Sequence, residues 1–275
     1  MEDFLDKRAE EAEEAEDLPK ALGLWKELAI KNQDPVFFCR YGRAAQKLER
    51  WAEAENAFSG ALHLDPNSSL TMESMGSLWA SRTDKDEVDC FQTAKQWFLR
   101  ALQHERHARL LTQLAGTYVA LADYGAARDA FQEAIRIDPN YEEALYNLAV
   151  LDEKTNPQKS VELLERAIQI DPDYLMAHQV LGRLNQRAKD PVRAEYHFRR
   201  CLEIDPADYW SNIYLANLLG AQGRNAEAEG MYRFATGLHP EMSGGLDLFA
   251  RFLESIGKKD EAASVRAQGG SPEVG

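Results

Sequence analysis

The chain has 275 residues and a mass of 31.1 kDa, with 44% hydrophobic and 28% charged positions. That apolar content excludes a wholly disordered chain. Because 46 acidic residues outnumber 32 basic ones, the net charge is −14, which repels phosphate backbones at long range and makes nucleic acid an unexpected partner.

The N-terminal segment, MEDFLDKRAEEAEEAED, is acidic and lacks the apolar core of a secretory signal. No apolar run approaches the roughly 18 residues that predict a membrane helix. Three widely separated cysteines, Cys39, Cys90 and Cys201, form no CxxC pair and are typical of free thiols in a reducing compartment. We therefore expect a soluble, cytoplasmic protein with no membrane insertion.

Prolines recur along the chain at a nearly fixed spacing. They are preceded by Asp or His in Asp65-Pro66, Asp138-Pro139, Asp171-Pro172, Asp205-Pro206 and His239-Pro240. From Pro139 onward the spacing is almost constant, and the longer gap between Pro66 and Pro139 holds two periods and an insertion. Each proline follows a segment of helical periodicity such as AFQEAIRID and cannot continue that helix. The pattern predicts tandem repeats of about 34 residues.

Small residues occupy fixed places in this period. One such column holds Gly42, Gly76, Ala115, Ala149, Gly182, Ala216 and Ala250. A column of large residues holds Trp25, Phe58, Phe98, Phe131, Leu164, Phe198 and Tyr232. A leucine in the small column would overpack at a cost of about 1–3 kcal/mol, so helices should cross closely there. We predict an all-α fold in which each repeat is one antiparallel helix pair, stacked into an α-solenoid.

Two stretches carry a resemblance to a known family. YEEALYNLAVLDEK at 141–154 resembles the first helix of a tetratricopeptide repeat (TPR), and LERWAEAENAFSGALHLDPN at 48–67 resembles its second helix and exit turn. The resemblance extends over nearly the whole chain and implies a right-handed α-α superhelix that serves as a binding scaffold. We expect a single solenoid over 1–267, with repeats at about 2–34, 35–68, 69–107, 108–141, 142–174, 175–208, 209–242 and a truncated 243–267, then a disordered tail at 268–275.

Two repeats depart from the pattern. The third has about five extra residues between its helices, within 80–95, which predicts either a longer polar loop or a loop that contacts a partner. The truncated last repeat leaves Leu246, Phe249, Phe252 and Ile256 with little sequence to cover them. Because poorly capped solenoid ends are sticky, a homo-oligomer through the terminal repeats is possible.

No pattern predicts catalysis. A nucleophile elbow, a phosphate loop and a dinucleotide fingerprint are all absent as sequence strings. His104 and His107 lie close together in HERH, but zinc needs further ligands, so we interpret them as an exposed helix end. We expect a protein that is not an enzyme and that has no catalytic residue, metal or cofactor.

In TPR proteins the first helix of each pair lines an inner groove, so the resemblance assigns partner binding to inward positions on those helices. The candidates are Arg40, Arg43, Lys47, Tyr146, Asn147, Met176, Arg183, Arg187, Trp210, Tyr214 and Asn217. The first three share one helical stripe. Tyr146, Asn147 and Asn217 offer hydroxyl and amide groups to a peptide backbone.

Inward positions of the later repeats also predict an apolar patch made of Met176, Val180, Trp210, Ile213 and Tyr214, with Arg183 and Arg187 beside it. An exposed Trp next to Arg is typical of binding hot spots. The expected ligand is therefore a protein or peptide with acidic residues at one end and bulky apolar residues at the other.

These features favour a non-catalytic adaptor for protein–protein interaction. A self-assembling structural scaffold, or a regulatory or assembly subunit of a larger complex, would use the same repeats and remain alternatives. Nucleic-acid binding is disfavoured because basic and aromatic columns do not alternate once per repeat. Related proteins hold acidic chaperone C-termini with a Lys/Asn/Asn/Lys/Arg clamp, and no three consecutive repeats supply that set, as Cys39, Ser74 and Gln113 illustrate.

Overall fold

The structure, a computed structural model, describes residues 2–269. These residues form sixteen α-helices and no β-strand. The helices are α1 Glu2–Glu14, α2 Leu18–Asn32, α3 Pro35–Lys47, α4 Trp51–Leu64, α5 Ser69–Ser81, α6 Glu87–Ala101, α7 Ala108–Ala120, α8 Tyr124–Ile137, α9 Glu142–Asp152, α10 Pro157–Ile170, α11 Leu175–Arg187, α12 Pro191–Ile204, α13 Tyr209–Ala221, α14 Asn225–Leu238, α15 Ser243–Ser255 and α16 Lys259–Gly269. The all-α helical repeat fold is confirmed. Across this described range, no helix has the length and apolar character needed to traverse a bilayer.

The chain divides into two compact units, an N-terminal unit of residues 1–144 and a C-terminal unit of residues 145–275. In the N-terminal unit α3 packs on α4, α5 on α6 and α7 on α8. In the C-terminal unit α11 packs on α12, α13 on α14 and α15 on α16. The helices fall two to each of the eight repeats suggested by the sequence, and we retain those repeats as a proposed division.

The Asp-Pro sites end the second helix of a pair and begin the turn to the next. At Asp65, Asp138, Asp171 and Asp205 the side-chain carboxylate accepts the backbone N–H two residues later, at 2.9–3.2 Å. This local hydrogen bond favours the turn, while the proline prevents another helical turn. The motif thus sets where each first helix can start, and with it the positions of the inward side chains.

The small column lies where the two helices of a pair cross. A Cβ added at Gly42 would lie 2.5 Å from a ring carbon of Phe58, and one added at Gly182 would lie 2.4 Å from a ring carbon of Phe198. Both rings are fully buried. The aromatic ring of the second helix therefore packs directly on the glycine backbone of the first, which is the close crossing that the sequence predicts.

The insertion in the third repeat is an ordered loop between α5 and α6. The Arg82 side chain is 4% exposed, and its guanidinium donates to both carboxylate oxygens of Asp84 at 2.8 and 2.9 Å and to Glu55 of α4 at 2.8 Å. The same guanidinium lies 4.5 Å from the ring centroid of Trp79, and the Lys85 ammonium lies 4.5 Å from that ring. These contacts give the loop a structural role.

The C-terminal end of the described chain is better covered than the sequence suggests. Leu246, Phe249 and Phe252 are at most 8% exposed, because α16 closes over them with Ala262 and Val265. This burial removes the reason for expecting a sticky apolar end there. Of the predicted tail, residues 268 and 269 are the last of α16, and residues 270–275 lie outside the described residues.

Candidate functional site

A cleft of about 520 Å³ opens on the first helices of the pairs in the C-terminal unit. Its walls come from the turn after α9 and from α11, α13 and α15, at spacings of three or four residues that place side chains on one helical face. The residues that line this C-terminal cleft are Glu153, Lys154, Arg183, Gln186, Arg187, Tyr214, Asn217 and Leu248.

Glu153 organises the basic side of the C-terminal cleft. It is 8% exposed, and its carboxylate accepts from Arg183 Nη2 at 2.7 Å and from Arg187 Nη1. A buried carboxylate is costly unless it is paired, so this contact holds both guanidinium groups in place. Lys154 is exposed and has no ion pair among residues 2–269. Three cations against one carboxylate leave the cleft positively charged, which favours an anionic ligand.

Aromatic and apolar side chains form the other side of the cleft. Tyr214 is half-buried and stacks on Trp210 with ring centroids 5.7 Å apart, and Trp210 meets Tyr209 edge-on at 5.1 Å. A Cβ added at Gly244 would lie 3.3 Å from the Trp210 ring, so this glycine gives α15 room beside the indole. Tyr214, Trp210 and Leu248 all pack on the core of the C-terminal unit, which makes this side a rigid surface.

An amide pair joins the two sides. Gln186 Nε2 donates to Asn217 Oδ1 at 3.2 Å, which leaves hydrogen-bonding capacity on both amides facing the cleft. Arg183, Arg187, Tyr214 and Asn217 are thus the candidates that the structure brings together in this cleft.

Four other candidates of the C-terminal unit lie outside the lining of the cleft, and one of them is Trp210, which stacks on the lining residue Tyr214. Tyr146 packs its ring 5.4 Å from that of Tyr174, and burial raises the pKa of its hydroxyl. Asn147 is half-buried on α9, and Met176 is 48% exposed at the start of α11.

The predicted apolar patch is smaller than the sequence suggests. Val180 is 4% exposed and Ile213 is fully buried, so both belong to the core rather than to an accessible surface. A first helix in a stacked array also contacts neighbouring helices on its flanks, as α13 does with α15, and the strip left exposed is narrower than a helical face. Placing Val180 and Ile213 in the binding patch was wrong.

In the N-terminal unit the three basic candidates have different surroundings. Arg40 forms an ion pair with Glu10, with 3.0 Å between Nη1 and Oε1, and its guanidinium lies 4.6 Å from the ring centroid of Trp25. Arg43 is exposed and lines two recesses of about 280 and 210 Å³. Lys47 is exposed and lines neither recess. The helical stripe therefore contains one arginine that is already paired and one that lines open recesses.

Sequence reasoning missed four residues of the C-terminal cleft: Glu153, Lys154, Gln186 and Leu248. All four occupy inward positions of the repeats, so the repeat spacing alone could have identified them as candidates. The pairing of Glu153 with Arg183 and Arg187 could not be predicted, because these partners lie 30 and 34 residues away on another helix.

Comparison with known proteins supports the repeat assignment. Residues 108–151 match the family model described as tetratricopeptide repeat. The human protein O-mannosyl-transferase TMTC3 is 25% identical over 187 residues, which is 61% of this chain and 20% of that protein. The mouse protein of the same name is 25% identical over 182 residues, which is 59% of this chain and 19% of that protein. The chain thus spans about a fifth of the length of these relatives.

Solved structures show the same fold. The crystal structure of MamA has a TM-score of 0.51 at 18% identity and covers 57% of this chain and 92% of its own. The crystal structure titled "YrrB: a TPR protein with an unusual peptide-binding site" has a TM-score of 0.50 at 16% identity and covers 68% of this chain and 95% of its own. Residues 108–151 thus match the tetratricopeptide repeat model, the repeated helix pairs of the described residues share the fold of these solved structures, and proteins of this fold generally mediate protein–protein interactions.

Proposed function

We propose that the chain is a non-catalytic adaptor whose C-terminal cleft binds an extended peptide segment of a partner protein. The observation that supports this proposal is that one cleft has a cationic side and an apolar side. Lys154 and Arg187 are exposed cations on one side, and Tyr214 and Leu248 are apolar on the other. A segment with an acidic side chain followed by a bulky apolar one complements both sides.

The acidic side chain of the ligand binds at Lys154 and Arg187. One terminal nitrogen of Arg187 contacts Glu153, and its side chain is 58% exposed, so the rest of the guanidinium can donate to a ligand carboxylate. The amides of Gln186 and Asn217 supply hydrogen bonds to the peptide backbone. Tyr214 and Leu248 then contact the apolar side chain, and Trp210 supports Tyr214 from behind.

Ion pairs within the chain account for the lowered carboxyl pKa values of Glu195 and Glu229 in the C-terminal unit. Basic partners lower the pKa of two carboxyl groups here: Lys258 and Arg233 hold Glu229, and Arg224 and Arg199 hold Glu195. Lys258 and Arg224 belong to the repeat that follows their carboxylate, whereas Arg233 and Arg199 lie one turn away on the same helix, so all four contacts are structural. The name O-mannosyl-transferase belongs to the much longer relatives, and we propose partner binding, not sugar transfer, for this chain.

We also propose a cytoplasmic location. Cys39, Cys90 and Cys201 are all buried and unpaired in the described structure, and free thiols persist in a reducing compartment. Burial raises the pKa of each thiol, which keeps them unreactive.

The test begins with selection of a random dodecapeptide library on the wild-type protein. Selected peptides are then synthesised and their affinities measured by fluorescence anisotropy with wild type, Lys154→Glu, Arg187→Glu and Trp210→Ala. We expect enrichment of peptides that carry an acidic residue close to a bulky apolar one. Each charge reversal should weaken binding by about tenfold or more, which corresponds to about 1.4 kcal/mol.

Arg193→Glu is the matched control, because Arg193 is 68% exposed on the second helix α12 and makes the same charge change away from the cleft. Circular dichroism verifies that each variant is folded. Peptides that bind the three cleft variants as tightly as wild type would refute the proposed site.

A further inference from the structure

The N-terminal unit contains an exposed arginine, Arg43, whose neighbours Arg40 and Arg109 are each paired with a carboxylate. Arg40 is paired with Glu10 and packed over Trp25. Arg109 donates to the buried Glu73 from Nε at 2.9 Å and from Nη2 at 3.2 Å. Arg43 is exposed and forms no ion pair with any residue in the described range. An arginine without a carboxylate keeps its whole donor fork for a ligand.

Arg43 is shared by two recesses of different character. The larger has an apolar part, formed by Val36 at 56% and Leu70 at 46% exposure. Its lining also includes Arg40, Asp65 and Thr71. The smaller is lined by polar side chains from three successive first helices, α3, α5 and α7. A ligand that reaches Arg43 can therefore place an apolar side chain on one side and a polar backbone on the other.

The smaller recess offers a hydrogen-bond donor and an acceptor side by side. The Ser77 hydroxyl accepts from Gln113 Nε2 at 3.3 Å, and its own hydrogen has no acceptor in the part of the chain that the structure describes. The Gln113 carbonyl oxygen is buried without a partner in that same part of the chain. An unpaired buried acceptor is costly, and the terminal amide torsion of Gln is soft enough to turn the oxygen toward a donor. A peptide unit, with one C=O and one N–H, matches this pair.

We propose that the N-terminal unit holds a second peptide site, in which a ligand carboxylate binds Arg43, its backbone pairs with Ser77 and Gln113, and an apolar side chain covers Val36 and Leu70. The chain then binds two peptide segments at once, one in each compact unit. The second site rests on the proposed function only in the sense that both bind peptides, because the two share no residue.

The experiment isolates the second site by disabling the first. A random dodecapeptide library is selected on the Lys154→Glu/Arg187→Glu double variant, so that enriched peptides report on the rest of the chain. Synthetic peptides from this selection are then titrated by isothermal calorimetry into the double variant with Arg43→Gln, Arg43→Glu or Arg136→Glu added. Arg136 is the control, because it is 73% exposed on the second helix α8 of the same unit.

We expect enriched peptides to carry an acidic residue, to lose about tenfold in affinity with Arg43→Gln and more with Arg43→Glu, and to be unaffected by Arg136→Glu. Peptides from the two selections should bind wild type together without competing. The proposal is overturned if no peptide is enriched, if enriched peptides ignore both Arg43 variants, or if the two kinds of peptide displace each other. Failure of the C-terminal site shows instead as wild-type peptides that ignore Lys154→Glu, which leaves the Arg43 readout intact.

Discussion

Replacement of Gly182 by alanine tests whether direct contact between ring and backbone sets the helix crossing. The new Cβ would lie 2.4, 2.6 and 2.9 Å from three ring carbons of Phe198, whereas ordinary van der Waals contacts begin at about 3.4 Å. The ring must therefore move by about 1 Å, and it is fully buried. Overpacking of this kind costs about 1–3 kcal/mol or more. Alanine recovers about 0.5–1 kcal/mol of helix propensity, so we expect a net loss of about 2 kcal/mol.

The matched control is Gly230→Ala in the same unit. Gly230 lies inside α14, is exposed, and has nothing within 4 Å of an added Cβ. The same substitution should therefore stabilise by about 0.5–1 kcal/mol, so the two variants should differ in sign.

Urea unfolding followed by circular dichroism measures both effects, and hydrogen exchange on peptides from α11 and α12 localises the first. For a slope near 2 kcal/mol per molar urea, we expect the Gly182→Ala midpoint to fall by about 1 M. Adding Phe198→Leu should recover part of the loss, because the ring that clashes is gone. A Gly182→Ala variant as stable as Gly230→Ala would refute the close-crossing interpretation.

Three further outcomes follow from buried polar groups. Arg82→Gln should destabilise the N-terminal unit by about 2–3 kcal/mol and expose the loop at 82–86 to limited proteolysis, because Arg82 is 4% exposed and holds that loop. His178 and His197 share a 3.0 Å contact between Nδ1 atoms while His178 Nε2 donates to a backbone carbonyl, so the two rings cannot both be protonated at Nδ1. Burial lowers the pKa of His178 and lowers that of His197 to about 4, so their stabilisation is present above the unfolded pKa near 6.5 and is lost as pH falls toward 4, by about 3 kcal/mol for His197. The preceding repeat has Leu145 and Leu163 at the equivalent positions. Replacing both histidines with leucine should make the urea midpoint nearly independent of pH between 6.5 and 4. A midpoint that still falls with pH as steeply as in wild type would contradict the assignment of this loss to the two histidines. Glu153→Gln should weaken cleft-binding peptides, since it frees Arg183 and Arg187 from fixed positions, and an unaltered affinity would show that Glu153 is not needed to orient them.

The periodic spacing of prolines, small residues and large residues allowed the repeat fold to be predicted from the sequence. A glycine such as Gly182 and a ring such as Phe198 belong to the two helices of one pair, so their contact follows from helix geometry and a short turn. The Asp-Pro motif is similarly local, because Asp171 caps a turn two residues later. Neither contact depends on how one repeat sits on the next.

The candidate site depended on the packing between repeats. Arg40 and Arg43 look equivalent on their helix, but Glu10 from another repeat neutralises only Arg40. Val180 and Ile213 look inward by spacing, but the packing of the stacked helices buries both. Such choices depend on stacking offsets of a few ångströms between helices that are a full period apart.

The pattern of residues along the chain is sufficient to predict the helix pairs, their period, the turns between them and the strip of first-helix positions that can face a ligand. These are consequences of contacts within a single repeat, where backbone geometry leaves few alternatives. The packing of one repeat on the next determines which of those positions remain open, which arginines are already paired, and that Glu153 joins two of them in one cleft. The sequence gives the charge of each side chain. Whether that charge is available to a partner depends on the neighbours that folding brings within hydrogen-bond distance.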